Sequence, residues 1–159
     1  MADWVIDTCV VAACDDPESP CCHKAIALLV KVLDTGRLCV DDKREVIKEY
    51  MKHVKPSGHA IVLVRKFLGQ AGKMQQHSGR LTIEARGRLD KIGFPDSTDR
   101  VFVAVASRSG DKLLVTEDGH HFSPQVCAYL AENLGVNVFN TASVYKYVIE
   151  PSSAESTIV

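Results

Sequence analysis

The chain predicts an α/β fold in which helices cover both faces of a parallel sheet. Three observations carry this prediction. Short apolar runs at 3–7, 38–40, 112–116 and 136–139 alternate with longer segments whose apolar residues recur at helical spacing. The short runs are apolar without a polar alternate face, as strands buried on both sides are. The strand–helix order recurs along the chain, the pattern of parallel strands joined by crossover helices. At 159 residues, 46% hydrophobic and 25% charged, the sequence has the size and composition of a single globular domain. That domain is expected to span 1–150, with a small polar tail at 151–159, PSSAESTIV. No internal repeat or linker divides it.

Each element has its own warrant. The strand DWVID at 3–7 ends on Asp7. Residues 22–33 place Ala25, Leu28, Leu29 and Val32 on one helical face, and Gly36 stops the helix. After the strand at 38–40 a helix opens near Asp42, with Val46, Ile47, Tyr50, Met51 and Val54 as its inner stripe. Pro56 interrupts it. Residues 61–71 form a third helical run with a basic outer face. The stretch 69–79 is polar and punctuated by glycine, which predicts a mobile loop. Residues 81–92 are expected to be helical in part. Pro95 ends them, and a helix opens at Asp96 or Ser97 with VFVAVA, 101–106, as its core. A buried strand at 112–116, a helix at 122–133 and a strand at 136–139 complete the set.

Charge and cysteine usage narrow the class. The formal net charge is −1, but residues 65–91 hold 7 basic side chains against 2 acidic ones, between two acidic flanks. A basic middle within an acidic frame suits a cation pocket beside a phosphate-binding rim, or a solvated helical face. The six cysteines form no CxxC pair and predict reduced, mostly buried thiols. No apolar run approaches the ~18 residues of a membrane span. The N-terminus, MADWVIDTCVV, has no basic region of the kind that opens a signal peptide, so a cytoplasmic protein is expected.

Four acids stand where apolar runs stop or helices open: Asp7, Glu49, Asp99 and Asp118. In open α/β sheets, sites form outside the carboxyl ends of strands, and Asp7 and Asp118 sit at such ends. Each acid also has a structural reading. Asp7 suits a turn or helix cap. Asp42 with Glu45 resembles a capping box, which gives Glu45 a structural role and leaves Glu49 beside the apolar stripe. A solvated helix face would also accommodate Glu49. Asp96 and Asp99 suit the N-cap and N3 positions, where the helix dipole keeps a carboxylate ionised. Alternation turns Thr116 and Asp118 to one side of their strand and Glu117 to the other. The adjacent His120 and His121 read as exposed loop residues rather than ligands. Gathered together, the four acids would offer hard oxygen donors that select Mg²⁺ or Mn²⁺. One or two such ions activate water at a phosphodiester.

These residues resemble the motifs of the PIN-domain family, small metal-dependent nucleases that include the toxins of many prokaryotic toxin–antitoxin pairs. VIDTCVV resembles the opening hydrophobic–Asp–Thr–Asn strand, VIKEYMKHV the helix carrying the Glu, and PDSTDRVFVAVA the helix opening in which an Asp precedes two alanines. LLVTED resembles the Thr-x-Asp after the fourth strand. The likeness covers roughly residues 3–148. It departs at Cys9, where the family usually has an Asn that supports the first Asp.

The resemblance implies a three-layer α/β/α sandwich and an endoribonuclease that hydrolyses single-stranded RNA with Mg²⁺ or Mn²⁺. It implies Asp7, Glu49, Asp99 and Asp118 as catalytic metal ligands, with Asp96 as a nearby further acid. Thr8 and Thr116 would orient ligands or water. Lys73, Arg80, Arg86 and Arg88 become candidates for contacts to the RNA backbone. An antitoxin protein and a homodimer are the implied partners besides RNA. A PIN-like module that binds RNA or protein without cleaving is the competing expectation, supported by Cys9 and by the absence of a strongly basic surface. A phosphotransfer or receiver domain fits less well, because VIDTC lacks a paired-Asp form.

Overall fold

Five strands, all parallel, lie side by side in the order β3-β2-β1-β4-β5. They are β1 (Ala2–Ile6), β2 (Gly36–Asp41), β3 (Met74–His77), β4 (Leu113–Val115) and β5 (Asn137–Phe139). The computed structural model describes residues 1–95 and 97–146; the tail expected at 151–159 lies outside them. Between β1 and β2 come α1 (Thr8–Ala13) and α2 (Cys22–Thr35). Between β2 and β3 come α3 (Glu45–His53) and α4 (His59–Gly69). Then α5 (Ile83–Ile92) and α6 (Thr98–Arg108) lead to β4. Next, α7 (Pro124–Tyr129) runs on as a π-helical turn over Leu130–Leu134, and α8 (Thr141–Val144) follows β5.

The strand order explains the layers. The steps β1 to β2 to β3 move one way across the sheet, and β3 to β4 to β5 move the other. Right-handed crossovers then set the first two connections over one face and the last two over the opposite face. The result is an α/β/α sandwich. Direction reverses between β1 and β4, and at such a reversal the flanking connections lead apart and leave a crevice outside the carboxyl ends. Val5, Ile6, Cys39, Leu114 and Val115 are fully buried in the sheet, and the Phe102–Ala106 run of α6 is buried with them. This accounts for the unbroken apolar runs in both strands and helix.

Three local features differ from the sequence expectations. The stretch expected to be a mobile loop contains β3. Its residues, MQQH, are mostly half-exposed because β3 is an edge strand with one neighbour. Polar side chains are tolerated there and discourage pairing with other chains. A helix, α1, follows Asp7 directly. The start of α3 is held by Asp41 rather than Asp42. β2 runs to Asp41, whose buried carboxylate accepts from the backbone N–H of Lys43 (3.1 Å), Glu45 (3.0 Å) and Val46 (2.8 Å). Asp42 is exposed.

Two further contacts hold the helices that frame the crevice. Asp15, buried after α1, accepts from Lys55 N–H (2.8 Å) and Ala60 N–H (3.0 Å), and so caps α4 from outside. Gly58 makes this approach possible, since a Cβ there would stand 2.2 Å from Asp15 Oδ1. The hydroxyl of Tyr50, fully buried in α3, donates to the carbonyl of Ile6. That bond fixes α3 against the end of β1, one residue before Asp7.

Candidate functional site

Asp7 leaves the end of β1 at the reversal point, and its own N–H donates to Val115 O of β4 at 2.9 Å. Its carboxylate is only 4% exposed. Thr116, one residue past β4, donates its hydroxyl proton to Asp7 Oδ2 at 2.6 Å and accepts the N–H of Asp118 at 3.0 Å. One threonine thus links the first acid to the loop that carries another. Because that hydroxyl proton is committed, the contact between Cys9 Sγ and Thr116 Oγ1 (3.6 Å) has Cys9 as donor. Burial, and then Asp7, push the Cys9 thiol up to about 11, so it remains a neutral S–H. Its sulfur also accepts from Glu117 N–H at 3.3 Å. Cys9 therefore braces the Thr116 loop.

Asp99 and Asp118 meet through His121. The Nδ1 atom of His121 lies 2.8 Å from Asp99 Oδ2 and 2.9 Å from Asp118 Oδ2. One ligand atom from each of the three lies within 4.8 Å of the others. Asp99 stands in the first turn of α6, where its N–H donates to the N-cap Ser97 Oγ at 3.3 Å. Asp118 Oδ1 accepts from the N–H groups of His120 (3.2 Å) and His121 (3.0 Å), a tight turn that aims the imidazole back at the carboxylates. The hydrogen bond that His121 donates to Asp99, and then the charge of Asp118, raise the His121 pKa above its ordinary 6.5 against the opposing pull of desolvation.

The Asp7 pKa is raised above 3.8, chiefly by burial; Thr116 opposes the shift and the charge of Asp99 adds to it. Asp7 and Asp99 therefore feel one another, and Asp7, Asp99 and Asp118 form one electrostatic group.

Glu49 stands apart from that group. Its carboxylate is 24% exposed and lies 3.7 Å from both Lys52 and His53 of its own helix. It lines a cleft of about 450 Å³ with Lys48, Lys52, Ser97 and Thr98, at the rim of the acid crevice. Asp96 lies outside the described residues. Thr8 begins α1, and its buried Oγ1 has no hydrogen-bond partner among the described residues. Glu117, turned away from Asp118 as strand alternation expects, accepts from Thr141 N–H at 2.6 Å and from the Thr141 hydroxyl.

The basic candidates divide. Arg80 and Arg86 line one cleft, with Gly79 and Ser97. Arg88 is exposed two positions along α5, about 200° round the helix from Arg86. Lys73 does not join them. It precedes β3, at the amino end of the sheet opposite the crevice, and its Nζ donates to Asp34 O at 3.2 Å. Sequence reading left His121 out of the site because its partner Asp99 is 22 positions away. Adjacent histidines in a loop read as exposed, and no local signal set His121 apart from His120.

The donor set suits a small divalent cation. Asp99, Asp118 and His121 offer ligand atoms within reach of one ion, Asp7 is coupled to Asp99 by charge, and the orphaned Thr8 hydroxyl belongs to the residue after Asp7. The imidazole nitrogen is better matched to Mn²⁺ than to Mg²⁺. Comparison with protein-family models, with curated proteins and with solved structures finds no match to this chain. No helix among the described residues is long and apolar enough to cross a membrane.

Proposed function

We propose that the protein is an endoribonuclease that hydrolyses phosphodiester bonds of single-stranded RNA and requires Mn²⁺ or Mg²⁺. The observation that supports this reading is the meeting of Asp99 and Asp118 at His121, with the buried Asp7 at the β1/β4 reversal coupled to Asp99 by charge. Carboxylates that feel one another's charge, one of them buried, repel unless a cation shares that charge. A divalent ion held by Asp7, Asp99 and Asp118 would supply an acidified water and a counter-charge for the leaving oxygen. Thr116 fixes the rotamer of Asp7 by holding Oδ2. Without the ion, His121 holds a proton at Nδ1 between Asp99 and Asp118 and screens them from one another. Glu49 is assigned the rim, where it faces the first turn of α6.

The test uses labelled single-stranded RNA with Mn²⁺, with Mg²⁺ or with chelator. Cleavage is expected with metal, lost with chelator, and lost in Asp7→Asn and in Asp99→Asn. Cleavage that survives both substitutions would sink the assigned site. The reading extends to a cytoplasmic toxin that an antitoxin protein holds in check and that acts as a homodimer. One observation favours a second reading, an RNA- or protein-binding module without cleavage. His121 already bridges Asp99 and Asp118, and Cys9 already braces Thr116, so the acids are satisfied without a metal. Metal-independent RNA binding without any cleavage would select it.

A further inference from the structure

We propose that the cleft between α5 and the start of α6 is a second phosphate subsite. Arg80 and Arg86 there hold one backbone phosphate of a nucleic-acid strand while another phosphate lies at Asp7, Asp99 and Asp118. The proposal rests on the ribonuclease reading and names the substrate it requires: an oligonucleotide that spans both places, not a mononucleotide.

The cleft has a volume of about 400 Å³ and contains three arginines. Arg100 is not free to bind a ligand. Its guanidinium lies 2.6 Å from Asp90 Oδ1 and also donates to the carbonyls of Phe94 and Pro95, so it serves the α5–α6 connection. Arg80 and Arg86 have no carboxylate within ion-pair distance among the described residues. Two unpaired guanidiniums in one concave place, each a planar fork of donors, suit a phosphate.

Their placement is built into the backbone. Gly79 passes so close to α6 and β2 that a Cβ would lie 2.9 Å from Val101 Cγ1 and 3.0 Å from Asp41 Cβ. This close approach delivers Arg80 to the mouth of the cleft. Arg86 reaches it from the first turns of α5, whose start is capped by Thr82 accepting from Ala85 N–H at 3.1 Å. Asp42 and Glu45 flank Arg80 on its other side, in a neighbouring cleft of about 340 Å³. Lys43 lines that cleft as well, and a strand leaving the arginine cleft has a course along the start of α6.

That course leads to the acids. Ser97 and Val101 line both the arginine cleft and the cleft containing Glu49 and Thr98, and Asp99 belongs to the same helical turn. A strand laid along the start of α6 therefore meets arginines on one side and carboxylates on the other.

Binding is measured with chelator present, so that no cleavage intervenes, by fluorescence anisotropy of a labelled single-stranded RNA of about a dozen nucleotides. The double variant Arg80→Ala/Arg86→Ala is expected to bind about tenfold more weakly. The slope of log affinity against log salt should shrink by about 0.7, the value for one phosphate contact on a single strand. Arg65→Ala, an exposed arginine on α4, controls for charge and should change neither quantity. Arg80→Lys/Arg86→Lys should keep the slope. An unchanged affinity in the double alanine variant, an equal loss in Arg65→Ala, or no binding by the wild-type chain overturns the subsite. Cleavage by the wild type with unaltered binding in the double variant removes the subsite and leaves the ribonuclease. The expected binding losses in a chain that never cleaves remove the ribonuclease and leave the arginines as a strand-binding cleft.

Discussion

Thr116 donates its hydroxyl proton to Asp7 Oδ2 at 2.6 Å, joining the ends of β1 and β4 across 109 residues of sequence. The bond favours an ionised Asp7, yet burial and the charge of Asp99 outweigh it, and the Asp7 pKa stands above 3.8. A carboxyl raised on folding stabilises the fold below its unfolded value and loses that contribution as pH rises through its folded value. At neutral pH the ionised Asp7 therefore weakens the fold. Asp7→Asn keeps an acceptor for Thr116 and removes the charge. It is expected to raise stability by about 1 kcal/mol in urea denaturation while abolishing cleavage. A lower midpoint than wild type would contradict this account.

His121 titrates with the same pH sign, because its pKa is raised too. Its pKa lies above 6.5 because protonated imidazole is held first by Asp99 and then by Asp118. The interaction is fully present below pH 6.5 and is lost as pH rises through the elevated value. NMR titration of the His121 ring should find that elevated midpoint. Added Mg²⁺ should lower it, since cation and proton compete for the same two carboxylates. A midpoint indifferent to Mg²⁺ would place the cation elsewhere.

Tyr50→Phe removes only the hydroxyl that Ile6 O accepts. The ring keeps its stacked contact with Phe102, at 6.3 Å between centroids. The carbonyl left behind is buried, so a loss of about 1–2 kcal/mol is expected, with the urea m-value unchanged. Cleavage should fall as well, because α3 loses its anchor beside Asp7. Wild-type stability in this variant would show that the carbonyl finds another donor.

One substitution at two glycines should give opposite signs. Gly58→Ala drives a methyl into Asp15, breaking its bonds to Lys55 and Ala60, and should cost at least about 2 kcal/mol. Gly69→Ala, at the end of α4 with nothing within 4 Å of the added carbon, should stabilise by about 0.5–1 kcal/mol. Thermal melts of the two variants decide it. A destabilised Gly69→Ala would mean the helix end needs the freedom of glycine.

The sequence exposed what depends on nearest neighbours along an element. Asp7 and Asp118 were legible because apolar strands end just before them, and Asp99 because a helix opens there. Alternation along β4 told Asp118 from Glu117. Contacts between distant segments were not legible. His121 reads as a loop residue until α6 brings Asp99 to it. Asp42 reads as the cap of α3 until β2 is seen to continue through Asp41. β3 escaped detection because an edge strand needs no apolar alternation, and MQQH has none. Lys73 counted with Arg80 and Arg86 in a basic stretch, but charge counts carry no information about which end of a strand a residue occupies.

The central strand of this sheet is made long before its second neighbour. β1 leaves the ribosome well before β4, and Thr116 follows Asp7 by 109 positions. Until then the edge of β1 that β4 will cover stays open, and Asp7 has neither Thr116 nor Asp99 beside it. Pairings between such remote segments are slow to form, because the intervening chain must first be ordered. A nascent chain in which Thr116 has not yet been made therefore holds no assembled acid crevice, and the crevice forms only once that segment has emerged.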